Sequence, residues 1–298
     1  MAFDIYNWKD AFFPLVTKWF DDEYAKNTNI IKALIGVETQ KRAVEYEYGV
    51  GGVGEIPDYD GTKLEELTKS KGFKTVYETK EKAGVYRLKY KDVKFDMSGE
   101  AKKAGQDMSN ALYMTVLMSF YRFFSNGFNS DYKGGDEQPL FSAHHPVSAD
   151  SDEEFANIGT DAFSIPAITK AQVAARRFKT YDGLPFLCKY DTILVSPELE
   201  PKAKEYFGKE AKLLPDTNNN NANPVYETKY FVIDGFGAKQ WAVGDSRLMK
   251  RHMKLKYGTR PMVIDQKAAN PLIAEFIPYV DYTLGWSDPR VIYGFDPK

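Results

Sequence analysis

Apolar residues recur along this chain with two periods, one helical and one of strict alternation, and the longest helical run covers residues 98–124, SGEAKKAGQDMSNALYMTVLMSFYRFF. Ser98 is a cap residue and Glu100 places negative charge in the first turn, where the helix dipole favours it. Small residues fill the first half (Gly99, Ala101, Ala104, Gly105, Ser109, Ala111). Large ones fill the second (Leu112, Val116, Leu117, Phe120, Tyr121, Phe123, Phe124). Asn126-Gly127 supplies a stop, because both tolerate the left-handed conformation that ends helices. The helix is roughly 40 Å long at about 1.5 Å per residue, thin at one end and oily at the other. A beam of this kind needs other elements packed along it.

The remaining pattern predicts shorter elements. In residues 1–27, Ile5, Trp8, Phe12, Val16, Trp19 and Phe20 lie near helical spacing. Pro14 disfavours helix at Phe13, which predicts an irregular lead followed by a helix over 14–25. The polar residues of this segment are too acidic for a membrane-surface helix and fit a docking arm. Val44, Tyr46 and Tyr48 alternate with Glu45 and Glu47, a strand over 43–48. Strands follow over 73–96, with Tyr86, Leu88 and Tyr90 against Arg87, Lys89 and Lys91 and a break at 82–84. Residues 125–159 read as loop, and Thr169 caps a helix over 170–180. A strand at 192–195 precedes a helix opened by Ser196-Pro197 and running to Phe207. Asn218 to Asn221 form an exposed loop. Strands at 230–233, 240–243, 253–257, 262–264, 275–284 and 290–293 close the chain. The order of elements is that of an α+β protein.

Charge changes this picture in one region. Glu45, Glu47, Glu55, Asp58, Asp60, Glu65 and Glu66 stand against Lys63 alone. Lys69, Lys71, Lys74, Lys80, Lys82, Arg87, Lys89, Lys91 and Lys94 stand against Glu78, Glu81 and Asp92. Opposite charges across antiparallel strands favour pairing, each by about 0.2–1 kcal/mol. An acidic outward limb and a basic return limb therefore fit one long hairpin, either solvated or laid over a neighbouring subunit. The chain as a whole has a net charge of −2, which leaves no global basic field of the sort nucleic-acid binders carry. Aromatic residues make up 15%; tyrosine in this quantity fits strands and subunit interfaces alike. The lone Cys188 rules out an internal disulfide and suits a reducing compartment, and no signal peptide or membrane span stands out.

The chemical inventory is sparse. Gly49 to Gly54 matches GxGxxG after a strand, but the acidic, turn-rich Glu55, Pro57, Asp58, Asp60 and Gly61 replace the helix N-terminus that would receive a pyrophosphate. His144 and His145 near Asp150, Asp152, Glu153 and Glu154 invite a metal-dependent enzyme, yet adjacent side chains diverge and no HxxxH or HExxH spacing is present. Cys188 beside Lys189 has no motif around it and reads as a packed residue.

The order of these features, with Pro139-Leu140-Phe141-Ser142-Ala143-His144-His145-Pro146, then Asn157-Ile158-Gly159, Ile168-Thr169-Lys170-Ala171, Gly183-Leu184-Pro185 and 194–200 (LVSPELE), resembles the major head subunit of tailed bacteriophages and Mu-like prophages. The resemblance implies a Hong Kong 97-like capsid fold. It divides the chain into an N-terminal arm (1–40), a peripheral domain (41–165 and 265–298) and an axial domain (166–264). The peripheral domain would contain an extended loop at 46–95 and a spine helix at 98–124, and the last strands would return to its sheet. Glu45, Glu47, Glu65, Glu66, Lys69, Lys71, Arg87, Lys89 and Lys91 would then be inter-subunit residues of the extended loop, and Ala104, Met108, Leu112 and Phe120 the packing residues of the spine. The implied protein is structural, with no catalytic residue, cofactor or metal. It would self-assemble as hexamers and pentamers into an icosahedral head around double-stranded DNA in the bacterial cytoplasm, with a scaffolding protein, a portal and a possible decoration protein as partners. An encapsulin-type nanocompartment shell is the sister reading.

Overall fold

The computed structural model describes residues 8–27, 30–50, 55–59, 61–62, 64, 66–67, 71–95, 99–149, 152–207, 228–266 and 270–298. The expectations placed on Ser98, Glu65, Lys69, Asp150 and residues 51–54 and 218–221 lie outside them.

The spine is a helix over Glu100–Ser125. Its first-cap position is Gly99 rather than Ser98, with φ 70° and no side-chain cap, a left-handed geometry that glycine adopts without steric penalty. It ends by tightening into a 3-10 turn, Asn126–Phe128, with Asn126 at a right-handed φ of −71°. The stop therefore does not use the left-handed conformation that Asn-Gly suggested. Ala104, Met108, Leu112, Val116, Phe120 and Phe124 are all buried, a single stripe at intervals of four.

A second helix, Trp8–Lys26, packs along the spine and carries Pro14 in its interior. The irregular lead that Pro14 predicted is absent over the described residues. Trp8, Phe12, Val16 and Phe20 are each at most 5% exposed. Burying four such side chains gains roughly 1.5–3 kcal/mol apiece, which outweighs about 3 kcal/mol for an interior proline. Asp10, whose carbonyl loses its amide partner, is exposed to water, as is Pro14. The aromatic arm thus docks on its own chain. The thin half of the spine makes this possible: a Cβ on Gly105 would sit 2.8 Å from the Val16 carbonyl oxygen.

Among the described residues there are two five-stranded sheets, and the first packs on this pair of helices. In the first, Gly36–Thr39 runs parallel to Met253–Gln266, which pairs antiparallel with Ile273–Trp286. What reads in sequence as two strands at 253–257 and 262–264 is one, with register irregularities between Tyr257 and Met262 absorbing Gly258 and Pro261. The other edge of Ile273–Trp286 is shared by Lys80–Ala83 and Tyr86–Lys89.

The second sheet has the order Lys229–Val232, Thr192–Val195, Trp241–Gly244, Ile292–Phe295, Ile158–Gly159. Thr192–Val195 and Trp241–Gly244 are buried along their whole length. The C-terminal strand corrects an expectation. It pairs with Trp241–Gly244 and Ile158–Gly159 rather than returning to the first sheet. Trp241 and Phe295 stack at 3.8 Å between ring centroids, a contact that anchors this placement. The helix expected from Thr169 begins a turn earlier, over Ile165–Arg177, because Ser164 caps it and Pro166 occupies its first turn. Thr169 lies inside and turns its hydroxyl back onto the Ile165 carbonyl. No described helix is long and apolar enough to cross a membrane.

Candidate assembly surface

The charge-segregated region forms a hairpin over part of its expected length. Val44–Val50 pairs antiparallel with Lys71–Glu78, matching Tyr46 to Val76, Glu47 to Thr75 and Tyr48 to Lys74. Alternation then sorts the side chains onto two faces. Tyr77 and Thr75 are buried on the inner face, where the Thr75 hydroxyl donates to the Trp286 carbonyl at 2.9 Å. Val44, Tyr46, Tyr48 and Val76 remain exposed on the outer face.

The register decides the fate of the acidic limb. Glu45 and Glu47 oppose Tyr77 and Thr75, not lysines, and Lys74 belongs to the other face, where its ammonium lies 3.8 Å from the Tyr46 ring centroid. Among the described residues the cross-hairpin ion pairs expected from sequence therefore do not form. Instead Glu47 meets Lys254 at 2.9 Å and Lys256 at 3.5 Å, and Glu45 meets Lys256 at 3.3 Å. Glu38 adds a second carboxylate to Lys254 at 3.1 Å. Burial alone would lower Lys254, but hydrogen bonds and charge from Glu47 and Glu38 outweigh it and hold the ammonium above its ordinary range. Glu45 is held below the usual carboxylate range, first by the Lys41 backbone N–H and then by Lys256. Sequence reasoning missed Lys254 and Lys256; they alternate within their strand just as Glu45 and Glu47 do, and that shared parity is the signal that could have found them.

The return limb leaves the hairpin after Glu78 and joins the first sheet. Arg87 lies opposite Glu275 and binds it at 2.7 Å. Lys89 is exposed opposite Ile273, and Lys91 is exposed on a short helix, Tyr90–Lys94, that replaces the end of the expected strand. Glu66 is exposed, and Lys71 pairs through its backbone with Val50.

The histidine loop is organised by Asn157, which is fully buried. Its amide nitrogen donates to the carbonyls of Leu140, Pro289 and Ile292 at 2.7, 3.0 and 3.2 Å. This fixes the amide orientation, so its oxygen accepts from the Ser142 N–H at 2.9 Å and from His145 Nε2 at 3.1 Å. His145 Nδ1 lies 2.6 Å from an Asp136 carboxylate oxygen. Both ring nitrogens of His145 are thus engaged, one with Asp136 and one with Asn157. His144 points outward to Glu154 at 2.8 Å. The two histidines serve different partners, and the arrangement ties the loop to the C-terminal strand. Arg290 continues the tie: its guanidinium is buried, donates to the Val147 carbonyl at 2.7 Å and to Asp288 at 3.3 Å, and sits 4.4 Å from the Tyr181 ring centroid. Sequence reasoning singled out Asn157 as part of a motif but assigned no role to it, to Asp136 or to Arg290. Cys188 is buried with its thiol toward the Arg290 carbonyl, and burial pushes that thiol well above its ordinary range. Among the described residues, no three His, Cys, Asp or Glu side chains gather in a metal-binding arrangement.

No protein-family model and no curated protein matches the sequence. Solved structures do match. The capsid of Ralstonia phage GP4 superposes with a TM-score of 0.59 at 13% identity, covering 91% of this chain and 89% of that one. The virus-like particle from Pyrococcus furiosus gives 0.53 at 8% identity, covering 95% and 98%. The procapsid of satellite phage P4 gives 0.52 at 12% identity, covering 94% and 89%. With these superpositions extending over nine-tenths or more of its length, the chain has the Hong Kong 97-like capsid fold.

Proposed function

We propose that this chain is the major capsid subunit of a tailed phage or Mu-like prophage. It assembles as hexamers and pentamers into an icosahedral head around double-stranded DNA, and its role is structural rather than catalytic. The observation that carries this reading is the two-faced hairpin. Its inner face is bolted to the chain's own sheet, while Val44, Tyr46, Tyr48 and Val76 form an apolar outer face that is exposed in the lone subunit. An exposed cluster of large apolar residues marks an interaction surface. In this reading the extended loop, including Glu65, Glu66, Lys69, Lys71, Lys89 and Lys91, reaches a neighbouring subunit. A scaffolding protein and a portal act during assembly in the host cytoplasm, with a decoration protein as a further partner. The peripheral unit comprises the spine and the first sheet, and the axial unit comprises the second sheet with Ile292–Phe295 added to it.

Expression with its scaffold and electron microscopy test the reading: closed shells are expected, and a protein that sediments only as a monomer under all such conditions overturns it. The same shells separate the sister reading, since a nanocompartment would contain an enzyme cargo where a phage head contains DNA.

A further inference from the structure

The two strands of the hairpin carry one glycine each, Gly49 in Val44–Val50 and Gly72 in Lys71–Glu78. Neither has a positive φ, so backbone conformation does not call for glycine at either place. Space does. A Cβ on Gly49 would lie 2.5 Å from the Tyr181 hydroxyl oxygen and 3.1 Å from two of its ring carbons. A Cβ on Gly72 would lie 2.5 Å from Tyr181 Cε2 and would also meet the Gly49 carbonyl. The ladder shifts register between Tyr48 and Val50, at Gly49 itself, and glycine inside a strand marks a bulge or a close approach. Phe73 meets the same tyrosine edge-on, with ring centroids 6.1 Å apart. The two glycines form a slot, and Tyr181 fills it.

That tyrosine is held at the tip of a tight turn. The Thr180 N–H donates to the Leu184 carbonyl at 2.6 Å, the Gly183 N–H to the Thr180 carbonyl at 3.0 Å and the Phe186 N–H to the Phe178 carbonyl at 2.7 Å. Gly183 takes φ 77°, the left-handed position that closes such a turn. Behind the ring lies the buried Arg290 guanidinium, 4.4 Å from the Tyr181 centroid, 5.1 Å from that of Phe155 and 5.6 Å from that of Phe186, so cation–π attraction backs the turn. The turn connects the helix Ile165–Arg177 to Thr192–Val195 of the second sheet. The hairpin is thus held at two places. Glu45 and Glu47 fasten it to Lys254 and Lys256 of the first sheet, and Gly49 with Gly72, farther along the ladder, fastens it to Tyr181. One attachment leaves a hairpin free to pivot, whereas two attachments fix its direction. We infer that Tyr181 is the positioning residue of the hairpin: seated between Gly49 and Gly72, it sets the direction in which the hairpin leaves the subunit and ties that direction to the second sheet. The inference rests on the subunit reading above and adds the side chain that governs the pose of its assembly element.

Four variants of the full chain test it: Tyr181→Ala, Tyr181→Phe, Gly49→Ala, and Gly49→Ala combined with Tyr181→Ala. In the soluble subunit, Tyr181→Ala is expected to accelerate amide hydrogen exchange several-fold in 44–50 and 71–78 while leaving 192–195 and 253–257 unchanged. Shell yield is expected to fall several-fold for Tyr181→Ala and for Gly49→Ala, with little change in melting temperature. Tyr181→Phe keeps the ring in the slot and is expected to assemble. The three atoms nearest a Gly49 Cβ all belong to Tyr181, so the combined variant is expected to be no worse than Tyr181→Ala alone, whereas independent effects would add. Normal shells from Tyr181→Ala, or defects of the two single variants that add in full, overturn this inference alone. A loss of exchange protection spread evenly over the subunit also overturns it, because that is the mark of a residue serving stability only. If the unmodified chain forms no shells, the subunit reading fails, and the positioning role with it.

Discussion

Lys256 places its ammonium 3.3 Å from the Glu45 carboxylate and 4.2 Å from the centroid of the Tyr77 ring, so one nearly buried cation joins the base of the hairpin to the strand behind it. Glu45 and Glu47 remain partly solvated, which places this contact between an exposed ion pair, worth up to about 1 kcal/mol, and a buried one, whose disruption costs about 3–5 kcal/mol. Lys256→Ala is expected to destabilise the subunit by roughly 2 kcal/mol, read as a lowered midpoint in urea unfolding.

The same cluster sets a pH window. Glu45 is lowered in the folded chain, so its contribution is present above the unfolded carboxylate value and fades as pH falls through the folded one. Lys254 is raised, so its contribution is complete below the unfolded lysine value and fades as pH rises through the folded one. The stability difference between the unmodified chain and a Glu45→Gln, Glu47→Gln, Lys254→Met variant is therefore expected to be flat from roughly pH 5 to pH 10 and to shrink outside it. Urea midpoints across that range check the shape, and a maximum confined to one pH contradicts it.

Asn157 satisfies five groups from two segments of chain, 140–145 and 289–292. Asn157→Asp removes the donor and sets a carboxylate against three carbonyls, whereas Asn157→Ala leaves the same groups without partners. Each unsatisfied buried group costs about 1–3 kcal/mol, so both variants are expected to lose more than 3 kcal/mol. Amide hydrogen exchange is expected to accelerate first in 140–147 and 289–295.

Close packing of the spine against the N-terminal helix is open to a direct test. Gly105→Ala puts a methyl against the Val16 carbonyl and the Trp19 Cβ, and Ala104→Leu inserts a large side chain at a fully buried position. Overpacking of this kind costs about 1–3 kcal/mol. Both melting temperatures are expected to fall, Ala104→Leu further, and an unchanged value for both would mean the helices do not meet as described.

Reversing Arg87, Lys89 and Lys91 together is expected to reduce shell yield more than subunit stability. Among the described residues the one ion pair lost, Arg87 with Glu275, has an exposed guanidinium, and such pairs contribute up to about 1 kcal/mol. Equal losses in melting temperature and in shell yield would count against an assembly role for this edge.

Much of the secondary structure was legible because it rests on local physics. The stripe of Met108, Leu112, Val116 and Phe120 recurs at helical spacing. Val44, Tyr46 and Tyr48 alternate with glutamates, and Ser196-Pro197 opens a helical stretch through Leu199 to Phe207. Local signals misled where burial overrode them, as at Pro14, and where a stronger cap lay a turn upstream, as at Ser164. The likeness to a capsid subunit was carried by the order of elements, and the shared fold agrees with it.

What the sequence by itself determined is therefore the set of helices and strands, the two charged limbs and the absence of a recognisable catalytic motif. Only the tertiary structure decided that Glu45 and Glu47 pair with Lys254 and Lys256 rather than with the lysines of their own hairpin, that Asn157 holds the histidine loop to the last strand, and that Ile292–Phe295 joins the second sheet. The reason is physical: periodicity is a property of neighbours along the chain, whereas the face a charge presents and the strand it meets depend on register, and register is fixed by contacts between residues far apart in sequence.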